Sequence, residues 1–185
     1  MKRLFAIFVC LLLATTIAVT AFAAGASMTI KAEKTTVARG DTVSFTISLS
    51  EVKNLRSVLI DLSYDKNVFE FVSGTCNVSG TSLAEFKNGS GTFMFGEGKN
   101  FSGKIFTFKM KVKSDAPLGS ANITGDEAVR DVNGAVSSSV NTVKMTVVCS
   151  KHVMDKGTVT KEPTCTATGV KTFKCTASGC THKTT

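Results

Sequence analysis

The chain of 185 residues has no tryptophan, one tyrosine, two prolines and two histidines. Each shortage excludes something. Sugar-binding faces usually stack their ligand on exposed Trp or Tyr rings, flat surfaces with a polar edge. The one such side chain here is Tyr64, which falls on the apolar row of its strand, where packing is the expected role. Phe93, Phe95 and Phe101 remain as an aromatic platform for an alternative, carbohydrate-binding reading. Both histidines, His152 and His182, lie near the C-terminus. Residues 25–149 therefore lack the usual general base and any Ser-His or Cys-His pair. The carboxylates of this segment are scattered. Asp126 and Glu127 are adjacent, so a strand would turn them to opposite faces. No catalytic residue is assigned and no enzyme is expected.

Long hydrophobic runs are also scarce, with one exception at the N-terminus. Lys2 and Arg3 precede an apolar stretch over residues 4–19, followed by Ala21, Phe22, Ala23 and Ala24. A basic start, a short apolar stretch and an A-x-A site make residues 1–23 a secretory signal peptide. Cys10 within it lacks the small preceding residues of a lipid-attachment site. The mature chain is expected outside the cell, secreted or at a bacterial surface, with no membrane association after cleavage. Formal charge is +8 for the whole chain. Residues 24–149 carry 14 basic and 12 acidic side chains, a balance of +2, and residues 150–185 carry 6 and 2, a balance of +4. This basicity is too sparse for nucleic-acid binding.

What the chain does have is alternation. In residues 42–50, Val43, Phe45, Ile47 and Leu49 share one face and Thr42, Ser44, Thr46, Ser48 and Ser50 the other. Val58, Ile60, Leu62 and Tyr64 form another inward row. Phe106, Phe108, Met110 and Val112 alternate with Thr107, Lys109, Lys111 and Lys113. The lysines are read as protection against edge-to-edge pairing. Val143, Met145 and Val147 alternate with Thr142, Lys144 and Thr146. Turn residues separate the runs: Arg39-Gly40-Asp41, Asn88-Gly89-Ser90-Gly91, Gly96-Glu97-Gly98, Ala116-Pro117-Leu118-Gly119 and Asn133-Gly134. Short strands at this spacing predict an all-β sandwich over residues 27–148.

Alternation stops near Cys149. Residues 149–185 are rich in Thr, Lys and Cys and hold little to bury, so they need a staple to fold. They carry Cys149, His152, Cys165, Cys175, Cys180 and His182. These thiols and imidazoles suffice for one tetrahedral zinc as an alternative to disulfides, and no other cofactor is expected. Secretion favours disulfides, with three pairings open among four cysteines, and free thiols are the third alternative. Cys76 is left over as a small buried or loop thiol.

Five pieces in order resemble a cohesin domain. They are Arg39-Gly40-Asp41-Thr42-Val43, Leu62-Ser63-Tyr64-Asp65 with Val68-Phe69-Glu70-Phe71-Val72, the run from Gly103 to Lys113, Ala116-Pro117-Leu118-Gly119, and Asp131-Val132-Asn133-Gly134. The resemblance implies a jelly-roll β-sandwich of about nine strands, here with a small irregular Cys-containing appendage. It further implies a non-catalytic scaffold module of polysaccharide-degrading or cell-surface assemblies. Its partner would be a dockerin-like or other secreted module. A polysaccharide ligand and a structural wall spacer are the alternatives.

In dockerin-binding cohesins of the first type, an outward Asn and Asp on the strand before Ser-Tyr-Asp bond the dockerin helix. Ser57 and Leu59 stand at those positions here. The partner-binding set is therefore taken as Ser57, Leu59, Asp61 and Ser63, one outward row by the period of two. The tail is similar to a cysteine-bearing repeat of secreted bacterial proteins, carried by Pro163-Thr164-Cys165 through Phe173-Lys174-Cys175 and then Cys180. Such repeats usually run further, so a shortened copy is expected. Arg39-Gly40-Asp41 spells an integrin-recognition triplet but suits a turn better. The four Asn-x-Ser/Thr sites, at Asn77, Asn88, Asn100 and Asn122, matter only in a host that glycosylates them.

Overall fold

The computed structural model describes residues 25–149 and 151–185. The segment read as a signal peptide lies outside them. Among the described residues there is no helix. The first strands are β1 (Ala26–Ala32), β2 (Thr36–Ala38), β3 (Thr42–Tyr64), β4 (Phe69–Cys76) and β5 (Leu83–Lys87). There follow β6 (Ser90–Val112), β7 (Gly119–Asp131), β8 (Gly134–Val136), β9 (Ser138–Val140) and β10 (Val143–Val148). These ten form one continuous sheet. The tail adds a separate three-stranded sheet of β11 (Thr158–Lys161), β12 (Val170–Lys174) and β13 (Lys183–Thr184).

One sheet becomes a sandwich because β3 and β6, each 23 residues long, pair along most of their length and bend together. Their register breaks between Ile47 and Ser48 and again at three points between Leu49 and Ser57. Extra residues at such bulges turn a strand and raise its twist. The first half of β3 pairs with β1 and the second half of β6, which also carries β4. The second half of β3 pairs with β7 and the first half of β6, which also carries β5. The result is a sandwich, as the alternation predicts, in the jelly-roll form that the resemblance implies, with ten strands against about nine expected.

The apolar rows meet between the layers. Phe45, Ile47, Ile60, Phe93, Ile105, Phe106, Phe108 and Met110 are essentially buried. Phe108 stacks on Phe45 with ring centroids 4.7 Å apart and meets Phe86 edge-on at 5.6 Å. Phe86 reaches this cluster over two glycines. A Cβ on Gly74 or Gly91 would sit 2.6 or 2.7 Å from its ring, so only glycine fits beneath it.

Turns follow the sequence signals with one exception. Asn88 and Gly89 both take positive φ, 54° and 88°, between the paired Lys87 and Ser90. That is the two-residue hairpin turn an Asn-Gly pair favours. Asp131 Oδ1 accepts the Asn133 and Gly134 amides at 2.7 and 3.0 Å, closing the β7–β8 hairpin. Gly96-Glu97-Gly98 is not a turn: it lies inside β6, where the strand passes from one layer to the other. Backbone approach explains Gly98, whose Cβ would meet Val132 at 2.5 Å and Asn54 O at 3.0 Å. The lysine row is also not an edge device. Lys109 and Lys111 sit on an interior strand, flanked by β3 and β4.

The Arg39-Gly40-Asp41 triplet is a turn. Asp41 accepts the Ala38 amide at 3.1 Å and pairs with Lys34 at 2.7 Å, and Lys34 first among these holds its carboxyl below the usual range. Arg39 donates to Ala116 O at 2.7 Å and Ser178 O at 3.0 Å.

Asn141 closes a gap in the backbone ladder. β9 pairs with β1 only from Ala26 to Met28. Beyond it, the Asn141 side chain accepts the Ile30 amide at 2.6 Å and donates to Ile30 O at 3.1 Å. It thus stands in for a missing strand residue. Asn141→Ala leaves both half-buried backbone groups without these partners, at a cost of about 1–3 kcal/mol. Urea denaturation is expected to show a lower midpoint with an unchanged slope.

Candidate functional site

The second half of β3 has β6 on one side and β7 on the other, with β5 outermost beyond β6. Alternation turns Val58 and Ile60 fully inward, and Ser57, Leu59, Asp61 and Ser63 outward. Register then builds rows across the sheet, since residues directly opposite share a face. The first row is Leu83, Met94, Ser57 and Arg130; the second is Glu85, Thr92, Leu59 and Ala128; the third is Lys87, Ser90, Asp61 and Asp126. Ser63 lies beyond them, opposite Thr124.

All four residues of the expected outward row therefore share one face. Leu59 is 41 % exposed, Met94 43 % and Leu83 48 %, and they occupy neighbouring positions of the first two rows. Exposed large apolar side chains grouped in this way mark an interaction surface more strongly than scattered ones. Charge grades along the face. Arg130 ends the first row, and a shallow recess of about 520 Å³ beside it is lined by Arg56, Ser57, Met94 and Val132 among others. The third row ends on Asp61 directly opposite Asp126, with Lys87 two strands away. Thr92 donates to Val58 O at 3.1 Å, tying the central strands together.

Sequence reasoning found the β3 row and missed what flanks it. Met94, Leu83, Arg130 and Asp126 join the site only through pairing between strands distant in sequence. The outward period of their own strands was the one signal available. The aromatic platform does not exist: Phe93 and Phe95 are 0 % and 2 % exposed, and Phe101 packs against the core. Tyr64 is half-buried, and desolvation pushes its hydroxyl pKa up. Asp126 and Glu127 take opposite faces, opposite Asp61 and Ile60. Cys76 ends β4 as a half-buried thiol raised by desolvation.

The tail holds a second cluster. Cys149, His152, Cys175 and Cys180 bring their ligand atoms within 4.8 Å of one another. Cys149 Sγ lies 3.9 Å from Cys175 Sγ, and Cys180 Sγ lies 3.4 Å from His152 Nδ1. The Ala177 amide, then the His152 side chain, hold the Cys175 thiol down to about 7. Desolvation, then the neighbouring thiols, push Cys149 up to about 11. Two of the six expected ligands stay out. Cys165 is exposed on the Thr164–Ala167 turn between β11 and β12. His182 lies outside this group and stacks its ring on His152, centroids 3.9 Å apart and 18° from parallel. Spacing alone could not separate the six, because the turn and the stacking are products of the tail's fold.

Ten strands in one continuous sheet, bent into two layers, define a jelly-roll sandwich. A family model described as "Cohesin domain" matches residues 28–149, and the chain belongs to the cohesin family. Cohesins are dockerin-binding, non-catalytic scaffold modules, typically extracellular or at the cell surface. No curated protein matches the chain. Solved structures do. CaCohA2 from Clostridium acetobutylicum is 20 % identical with a TM-score of 0.52, covering 69 % of this chain and 94 % of its own. The cohesin module of a Clostridium perfringens family 33 glycoside hydrolase is 10 % identical with a TM-score of 0.55, covering 66 % and 96 %. A type I cohesin–dockerin complex from Clostridium thermocellum, Coh-OlpC with Doc435, is 14 % identical with a TM-score of 0.52, covering 67 % and 95 %. At these identities the likeness carries the fold.

Proposed function

We propose that this chain is a secreted scaffold module that captures a dockerin-bearing partner on the outward face of β5, β6, β3 and β7. The observation that carries the reading is the graded face itself. Leu59, Met94 and Leu83 form an exposed apolar centre, with Arg130 toward one end and Asp61 beside Asp126 toward the other. Stable interfaces combine a desolvated apolar centre with a polar rim, and complementary charge fixes register. In the Clostridium thermocellum complex a cohesin of this fold holds a dockerin. Where cohesins of the first type carry Asn and Asp, this chain carries Ser57 and Leu59, so the charged contact gives way to an apolar one at Leu59. The matching dockerin is expected to be apolar opposite Leu59, acidic opposite Arg130 and basic opposite the aspartates. The signal peptide supports action outside the cell. Sugar binding loses its support with the burial of Phe93 and Phe95.

Calorimetric titration of the mature chain with a panel of dockerin modules from its own source, beside retention on insoluble polysaccharide, tests this. Saturable one-to-one binding to at least one dockerin is expected, weakening with salt as charge complementarity requires, and no retention on the polysaccharide. Retention on the polysaccharide with no dockerin bound would reverse the reading.

A further inference from the structure

We infer that Cys149, His152, Cys175 and Cys180 form a structural zinc site that folds the tail and clasps it to the end of the sandwich. The ligand set spans 32 residues of chain, from the end of β10 to beyond β12, yet converges on one point. Zinc binds thiolate sulfur at about 2.3 Å and imidazole nitrogen at about 2.0–2.1 Å, tetrahedrally. Such a tetrahedron has edges of about 3.8 Å between two sulfurs and about 3.6 Å between sulfur and nitrogen. The cluster shows 3.9 Å and 3.4 Å for those two kinds of edge. Three thiols and one imidazole fill four positions and leave none open, which is the arrangement of a structural rather than a catalytic zinc. A disulfide would use two of the sulfurs and strand the third beside His152.

The surrounding backbone is built for this convergence. Thr176 donates from its amide and its hydroxyl to Val153 O at 2.8 and 2.9 Å. Asp155 N donates to Lys174 O at 2.8 Å, and Asp155 Oδ1 accepts the Lys174 and Gly157 amides at 3.0 and 2.9 Å. These bonds lay the His152 segment antiparallel to the Cys175 segment. The Cys175 amide donates to His182 O at 3.0 Å, and the Cys180 amide to Ala177 O at 3.0 Å, curling the last ligand back. Stacked His182 fixes the plane of the His152 ring, an outer-shell role.

The tail needs the metal. Beyond Cys149 the one buried apolar residue among those described is Cys175 itself, and every residue of β11 is exposed. A segment with so little to bury draws its folding energy from elsewhere, and in small metal-bound modules binding energy is folding energy. Because Cys149 directly follows β10, the metal would also join tail to sandwich. The Cys175–Cys180 loop already touches that end, through Arg39 on Ser178 O at 3.0 Å and Leu118 at 3.8 Å from a Cβ built on Gly179.

The test is metal analysis of the full mature chain, purified without chelator. One equivalent of zinc is expected, with three thiols becoming reactive when a chelator removes it. Cobalt(II) in its place is expected to give thiolate charge-transfer and tetrahedral ligand-field bands. Cys180→Ser should lower zinc affinity at least 100-fold, Cys180→His should restore one equivalent, and Cys165→Ser should keep it. Loss of zinc in Cys165→Ser, full retention in Cys180→Ser, or a native mass two hydrogens light with a disulfide mapped to Cys149, Cys175 or Cys180 would overturn the assignment.

Discussion

Phe108→Ala is expected to remove about 3–5 kcal/mol of stability, the usual cost of deleting a buried phenyl ring. The ring is 2 % exposed and sits where the two layers meet. It stacks on Phe45 at 4.7 Å, faces Phe71 at 6.4 Å and takes the edge of Phe86 at 5.6 Å. Alanine leaves a void walled by three other rings, and those rings hang from β3, β4 and β5. Strands locked in a ladder cannot close on the void without breaking register, so little of the loss is recovered by relaxation. A domain of this size has about 5–15 kcal/mol in all. The variant should therefore unfold at a far lower urea concentration with an unchanged slope. Phe71→Ala, at a half-buried position, should cost clearly less. Equal losses at the two positions would mean that the layers repack freely and that the stack is not the centre of the core.

The fold was legible because its information is local. A period of two with one apolar face gives strand and facing together, and Val43, Phe45, Ile47 and Leu49 are all buried as that period demands. Asn88-Gly89 likewise specifies its turn within two residues. The failures are of another kind. Gly96-Glu97-Gly98 has the composition of a turn, yet lies inside β6 because β3 bends beside it. Gly98 answers the close approach of Asn54 and Val132, neighbours that no local pattern shows. The lysine row of β6 reads as edge protection only while β4 is unplaced. In each case a strand distant in sequence decided the outcome.

The same division runs through the two sites. Ser57, Leu59, Asp61 and Ser63 lie on one strand, and strand period put them on one face. Met94, Leu83, Arg130 and Asp126 complete that face by register, which sequence pattern did not reveal. In the tail, ligand chemistry named six residues and geometry kept four. Cys165 and Cys180 are equivalent in type; only the backbone bonds from Thr176, Cys175 and Cys180 distinguish them.

Leu59→Asp combined with Met94→Asp is expected to weaken dockerin binding by at least about 100-fold, about 2.7 kcal/mol. Two effects add. Exposed apolar side chains at the centre of a face contribute most of their binding energy on desolvation, and both are lost. The new carboxylates must then be buried against a partner that offers them nothing, the one at 94 diagonal to Glu85 across β5 and the one at 59 two residues from Asp61 on the same face. Dissociation should accelerate more than association slows, since central contacts act on residence time. Asp126→Asn, at the rim, should instead slow association and flatten its salt dependence. Ser63→Ala should change little. Neither Leu59 nor Met94 supports the core, so thermal unfolding of the double variant should match wild type within about 0.5 kcal/mol. Wild-type affinity in this double variant, with folding intact, would place the docking surface on another face of the sandwich.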